Sequence, residues 1–192
     1  MFLTRRPTFS EIDNFLEQSL DLPLSYQPIG IAKYPPATFR LDTQSSVISE
    51  GKGALTRARQ ALESWRHFEL GWVELYPHCA SIEAGAVVAV LVHHLGLWSL
   101  NGCRIVYSVG DGESSFGFAY GTLTNHAEMG EEIFEISLNP ESEQVIYRIR
   151  AVSKPRAILA RIGYPYTRLC QARFRRDSIA AMKRAVADDQ FG

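Results

Sequence analysis

A run of 22 residues near the end of the chain, Pro165–Val186 (PYTRLCQARFRRDSIAAMKRAV), limits the possible folds more than any other stretch. It has no internal Gly or Pro and is rich in Arg, Ala, Leu, Met and Gln, all good helix formers. Pro165 suits the first turn, where its missing N–H is no loss. At 1.5 Å per residue the helix spans roughly 33 Å, about the width of a small domain. What precedes it is mostly strand-like, so a helix of this length needs a sheet to lie against.

Seven strand signals precede it. Phe39–Ser49 alternates weakly, and Trp72–Tyr76 ends at Pro77. Ala84–His94 (AGAVVAVLVHH) is nearly continuous apolar sequence and is expected to be buried. Cys103–Val109 alternates and turns at Gly110-Asp111-Gly112. Phe116–Leu123 places Phe116, Phe118, Tyr120 and Thr122 on one face and Gly117, Ala119 and Gly121 on the other. Glu131–Leu138, a turn at Asn139-Pro140, and Val145–Val152 complete the set. Strands this closely spaced argue for an antiparallel meander in an α+β fold, not for parallel βαβ units.

Two shorter helices are expected. Thr8–Leu20 opens with capping-box spacing (Thr8, Glu11) and carries the stripe Ile12, Phe15, Leu16, Leu20. Ala54–His67 shows Leu55, Ala58, Leu62 and Trp65 at helical period. Between the first helix and first strand, Pro23, Pro28, Pro35 and Pro36 predict an irregular arm with Tyr26, Ile29, Ile31 and Tyr34 as anchors. The chain thus divides into a helix and Pro-rich arm, 1–38, and a main domain, 39–192. Gly51-Lys52-Gly53 before a helix reads as a plain strand-to-helix turn, because its spacing does not match a phosphate-binding loop.

A chain of 192 residues can bury about 70% of its unfolded surface in one core. The net charge of -1 excludes a strongly basic body, but the charges are segregated. Eight acids and no Lys or Arg lie between Ile105 and Tyr147, whereas eleven basic residues and one acid, Asp177, lie between Arg148 and Arg184. The two runs are expected to neutralise each other in the fold. The alternative is a basic helix offered to an anionic ligand, lipid headgroups or nucleic acid. Three widely spaced cysteines (Cys79, Cys103, Cys170) argue against a disulfide scaffold and for a reducing compartment. Met1–Pro7 lacks a signal-peptide core, and Ala84–Val92 is too short to span a bilayer as a helix, so a cytoplasmic location is expected.

Longer blocks carry a family resemblance. They are ELGWVELYP (Glu69–Pro77), VVAVLVHHLGLWSLNGCRIVY (Val87–Tyr107), FGFAYGTL (Phe116–Leu123), HAEMGEEIF (His126–Phe134) and RFRRDSIAAM (Arg173–Met182). With their connecting turns they span most of residues 39–186 and resemble the uncharacterised family DUF1990 (UPF0548). The element order resembles the START-like helix-grip superfamily, which includes the birch pollen allergen, polyketide cyclases and lipid-transfer domains. The resemblance implies a curved seven-stranded sheet gripping the C-terminal helix over an apolar cavity, and it implies no substrate. The family pattern usually has Pro at Gly102 and Pro-Gly at Thr124-Asn125, departures that read as touching turns.

The chemical candidates gather near that implied cavity. His126, Glu128, Glu131 and Glu132 cluster after the Phe116–Leu123 strand, and alternation aims Glu132 inward with Phe134 and Ile136. A buried carboxylate needs a partner, for which Arg104, Arg148 and Arg150 are candidates. His126 with Glu128 is the nearest approach to a hard-metal pair, but no zinc quartet, HExxH, nucleophile elbow or dinucleotide GxGxxG exists. No cofactor is implied. His93 and His94 are adjacent at a strand end and point to opposite faces. The face of Gly117, Ala119 and Gly121 leaves a trough for either a packed neighbour or a ligand.

The C-terminal helix has two apolar sides. Leu169, Ala172, Ile179 and Val186 enclose Arg176 and Lys183, whereas Cys170, Phe174, Ala181 and Ala185 form a second stripe with Met182 between the two. The Phe174 side is the expected sheet face, leaving Arg176 outward and Asp177 bracing arginines; the other side would make Arg176 an anion anchor inside. The leading functional expectation is binding of a small apolar or amphipathic ligand, with Arg104, Tyr120, Thr122, His126, Glu128, Glu132 and Arg176 as candidate contacts. An enzyme of cyclase, isomerase or hydrolase type using Tyr120, His126 and Glu132 is the alternative. Peripheral membrane contact through the basic helix ranks third, and nucleic acid is not an expected partner.

Overall fold

Backbone hydrogen bonds join the strand segments into one antiparallel sheet in a computed structural model that describes residues 2–51, 53–155 and 164–188. The strands are β1 (Phe2–Leu3), β2 (Arg40–Glu50), β3 (Val73–Tyr76), β4 (Val87–His94), β5 (Leu97–Val109), β6 (Ser115–Thr122), β7 (Glu128–Leu138) and β8 (Gln144–Pro155). The helices are α1 (Phe9–Ser19), α2 (Ala54–Glu63) and α3 (Tyr164–Asp188). The sheet order is β2-β8-β7-β6-β5-β4-β3, the expected seven strands, with β2 and β3 at opposite edges. β1 is an eighth, pairing Phe2 with Ser99 and Leu3 with Trp98; two residues carry no alternation to reveal it. Register shifts between Val47 and Ser49 and between Ile105 and Tyr107 add local bend, as bulges do.

The curled sheet buries both faces. On the concave side Val88, Phe118, Phe134, Tyr147 and Ile149 share one cluster with Ile179, Met182, Ala185 and Val186 of α3. On the convex side α1 sets Ile12 and Phe15 against Tyr76, Ala89, Leu91 and Leu100. Its capping box forms as expected, with Thr8 and Glu11 bonding each other's backbone N–H. Tyr26, Ile31 and Ala32 of the arm cover Ala119, Ile133 and Val152. Ile29 and Tyr34, expected as anchors of the arm, are exposed instead, as is Leu20, expected in the α1 stripe; Tyr34 is 83% accessible.

The trough at Gly117, Ala119 and Gly121 is therefore convex; the arm fills it at Ala119 and Gly121, and Val109 closes on Gly117. A Cβ at Gly121 would collide with the Tyr26 hydroxyl and Leu24. Below this contact Glu131 is buried and accepts hydrogen bonds from Tyr26 Oη (2.6 Å), Gly30 N (2.9 Å), Ala32 N (3.1 Å) and Tyr107 Oη. The small residues thus serve packing, and ligand space lies on the opposite face.

Three further details differ from expectation. α2 stops at Glu63 because Trp65 takes a positive φ (57°) and starts a 3-10 turn, Arg66–Phe68; Trp65 still enters the core and donates to Ala80 O. Gly102 lies inside β5, not in a turn, and a Cβ there would meet the Asn125 side chain, so the two positions touch each other. Gly51 and Gly53 both have positive φ, consistent with a turn into α2, and Lys52 lies outside the described residues.

α3 turns its Phe174 side to the sheet. Ser178, Ala181, Met182 and Ala185 are buried, together with Ile179 and Val186 of the other stripe, whereas Leu169 is 68% exposed. The Arg176 side chain is 70% exposed and bonds Asp177, which also pairs with Arg173 and accepts from Trp72 Nε1 (3.0 Å). The expected neutralisation between acidic and basic runs is slight: among the described residues Arg148–Glu135 (3.3 Å) is the ion pair that links them. Arg168 instead grips Asp42 of β2 with both Nη atoms. No described helix is long and apolar enough to cross a membrane, and the three cysteines are unpaired.

Candidate functional site

Between the concave face and the first half of α3 lies a cavity of about 480 Å³. Phe68, Trp72, Val73, Val90, Val92 and Phe174 supply apolar wall. Alternation along β6 and β7 that buries Phe118 and Phe134 carries Tyr120 and Glu132 inward on the same face. Tyr120 and Glu132 are direct cross-strand neighbours, and Ala151 opposite Glu132 is small enough to leave room above it.

Of the seven candidates, five line the cavity: Tyr120, Thr122, His126, Glu128 and Glu132. Tyr120 Oη donates to Glu132 Oε2 at 2.8 Å. Burial pushes the Glu132 carboxyl up to about 7, against the pull of the Tyr120 hydrogen bond and the Arg175 charge. Burial likewise raises Glu128, opposed by Gln171 Nε2, which donates to it at 2.7 Å. The His126 ring is pushed down to about 4 by burial. Its Nδ1 accepts from Glu128 N–H (2.9 Å), so the neutral ring carries its proton on Nε2. Thr122 is already occupied: its hydroxyl bonds both N–H and C=O of Gly130 and meets Ser25 Oγ. It fixes the strand end.

Two candidates lie elsewhere. Arg104 donates to Leu20 O (2.6 Å) on the convex side, and Arg176 points outward from α3. Arg148 and Arg150 do not serve Glu132 either; they bond Glu135 and Lys33 O. The groups that reach it are Tyr120 and, through its field, Arg175. Gln171 and Arg175 escaped the sequence reading, although Gln171, Arg175 and Ser178 follow i, i+4, i+7 spacing beside the apolar stripe that holds Phe174. His93 stacks on Trp98 (4.2 Å) while His94 lines the cavity, so the pair does split across the sheet. Among the described residues no three His, Cys, Asp or Glu side chains gather as metal ligands, which leaves His126 and Glu128 without a third.

A curled antiparallel sheet closed by a C-terminal helix over an apolar cavity defines a helix-grip protein. Solved structures share this architecture: TTHA0849 from Thermus thermophilus has a TM-score of 0.55 at 12% identity, covering 78% of this chain and 99% of that one. The di-domain ARO/CYC StfQ from the steffimycin biosynthetic pathway matches at TM-score 0.54 and 11% identity, over 80% of this chain and 53% of its own. Within that class the particular family is shown by sequence. The profile of the domain of unknown function DUF1990 matches residues 25–181, and the chain belongs to that family. A UPF0548 protein of Dictyostelium discoideum is 31% identical over 99% of this chain and 98% of its own length. A UPF0548 protein of Arabidopsis thaliana is 31% identical over 77% of this chain and 74% of its own.

Proposed function

We propose that the protein binds a small ligand, apolar along most of its body and polar at one end, in the cavity beneath α3. The observation that carries this reading is the cavity itself: about 480 Å³, walled by apolar side chains, with polar groups converging at one end. Small-molecule sites fall in the range of roughly 300–1,000 Å³ and have this composition. Titration with the neutral fluorophore 1-aminoanthracene tests it. Saturable binding by the wild type and its loss in Ala151→Phe, with the fold retained by circular dichroism, is the expected result. A wild type that shows no saturable binding overturns the reading.

A second reading, an enzyme on the same scaffold, rests on the Glu132–Tyr120 pair. A carboxyl held near 7 beside a buried phenol suits general acid–base work at neutral pH. His126 stays neutral there, and with Nδ1 taken by the Glu128 N–H it offers the site only its Nε2–H as a hydrogen-bond donor. Exchange of deuterium from the carbon next to the carbonyl of a bound aryl ketone, present in wild type and lost in Glu132→Gln, is its mark. Equal retention of deuterium in both proteins removes it.

A further inference from the structure

Arg175 follows Phe174 on α3, and its side chain is only 10% exposed. It forms part of the cavity wall. A guanidinium presents five N–H donors and keeps its charge at any ordinary pH. Among the described residues the acidic group closest to it is Asp42, 3.8 Å from Nη2, beyond hydrogen-bonding distance. Both Asp42 oxygens are already held by Arg168. Glu132 is near enough to feel the Arg175 charge but bonds Tyr120 instead. A buried cation without a hydrogen-bond acceptor is costly unless a ligand supplies one.

The charges around it favour an anion. Asp42 on β2 and Arg168 on α3 cancel, and Arg40 lies outside at 60% exposure. From β7, Glu128 and Glu132 are both pushed toward the protonated form by burial. Tyr120 on β6, Tyr147 on β8 and Cys103 on β5 are all raised and stay neutral, and His126 is lowered and neutral as well. Asp42 lies within ion-pair range of Arg175 but is hydrogen-bonded to Arg168, which leaves the Arg175 guanidinium at this end of the cavity without a hydrogen-bonded counter-ion among the described residues.

We infer that the cavity selects amphipathic monocarboxylic acids, whose carboxylate lies on the Arg175 guanidinium while the apolar body runs between Trp72, Val90, Val92 and Phe174. This inference rests on the ligand-binding reading above and gives its polar end a chemical identity. It also moves the anion-anchoring role from Arg176, where one sequence alternative put it, to the preceding residue. A fork-to-carboxylate contact in a dry site adds two charge-assisted hydrogen bonds that an ester of the same chain does not make.

The test is competition at pH 6 against bound 1-aminoanthracene by decanoate, methyl decanoate and decan-1-ol. The wild type is expected to prefer decanoate over the other two by about ten- to a hundred-fold. Arg175→Met is expected to keep the neutral probe and lose that preference, and Arg175→Lys, which retains charge but not the fork, to recover part of it. Raising the pH from 6 to 8 is expected to erode the preference as Glu132 ionises, and Glu132→Gln to remove the erosion. Equal displacement by acid and ester in the wild type overturns the inference while leaving the cavity reading intact. A preference unchanged in both Arg175 variants also overturns it. Failure of the wild type to bind the neutral probe defeats the cavity reading and this inference together.

Discussion

Replacing Glu132 by Gln should stabilise the protein progressively as pH rises. Burial lifts this carboxyl from the ordinary 4.5 to about 7. Across that window the native state holds a proton that the unfolded chain has released, so stability falls as pH rises through it and levels off above. The full interval converts to at most about 3 kcal/mol. Glu132 is only partly shielded from the cavity space, so about 1–2 kcal/mol is the expected size. Gln is neutral at every pH and retains an acceptor for the Tyr120 hydroxyl. The difference in unfolding free energy, variant minus wild type, should be small at pH 5 and grow to about 1–2 kcal/mol by pH 8. His67 and His126 titrate alike in both proteins and cancel in the difference. Urea unfolding followed by tryptophan fluorescence at pH 5, 6, 7 and 8 measures it. A pH-independent difference, or one in which the variant loses ground as pH rises, would mean that Arg175 holds Glu132 ionised and would refute the reasoning.

Two other perturbations follow from buried groups outside the cavity. His67 is fully buried among Trp65, Phe68, Phe118 and Phe134 with both ring nitrogens unpartnered, and burial pushes it down from 6.5 to about 3. Below 6.5 the unfolded chain takes up a proton that the native state refuses, so His67 costs stability as pH falls toward 3. His67→Leu should raise the melting temperature at pH 7 and shrink its drop on going to pH 4.5; an equal drop in both proteins would contradict this. Glu131→Ala strands four donors and should cost about 3 kcal/mol or more. Hydrogen exchange should then speed up across residues 24–34 while the α3–sheet core stays protected, and unchanged protection of the arm would count against its anchoring by Glu131.

Much of this was legible because a strand's side chains alternate strictly. Once Phe118 and Phe134 are placed inward, Tyr120 and Glu132 must follow, and the cavity's strand-borne residues can be read off. α3 was harder, since its two apolar stripes are separated by roughly one residue's 100° turn. Only the shape of the sheet decides whether residue 175 or 176 faces in, and that shape is a property of seven strands together. Gln171 lies 43 positions from the Glu128 it bonds, and nothing local to either marks the pairing. The trough at Gly117, Ala119 and Gly121 was visible, but its occupant was not, because Tyr26 reaches it from almost a hundred residues upstream. Gly102 and Asn125 each looked like a loop substitution alone. In the fold the two positions touch.

The central claim is that ligand space lies on the concave face beneath α3 and not in the convex trough. Amide chemical-shift mapping with 1-aminoanthracene tests it most directly. Saturable shifts are expected to concentrate at Val90, Val92, Tyr120, Ala151 and Phe174, with Ala119, Gly121 and Ile133 little changed. Shifts centred on the arm and the convex residues, or none at all, would contradict it.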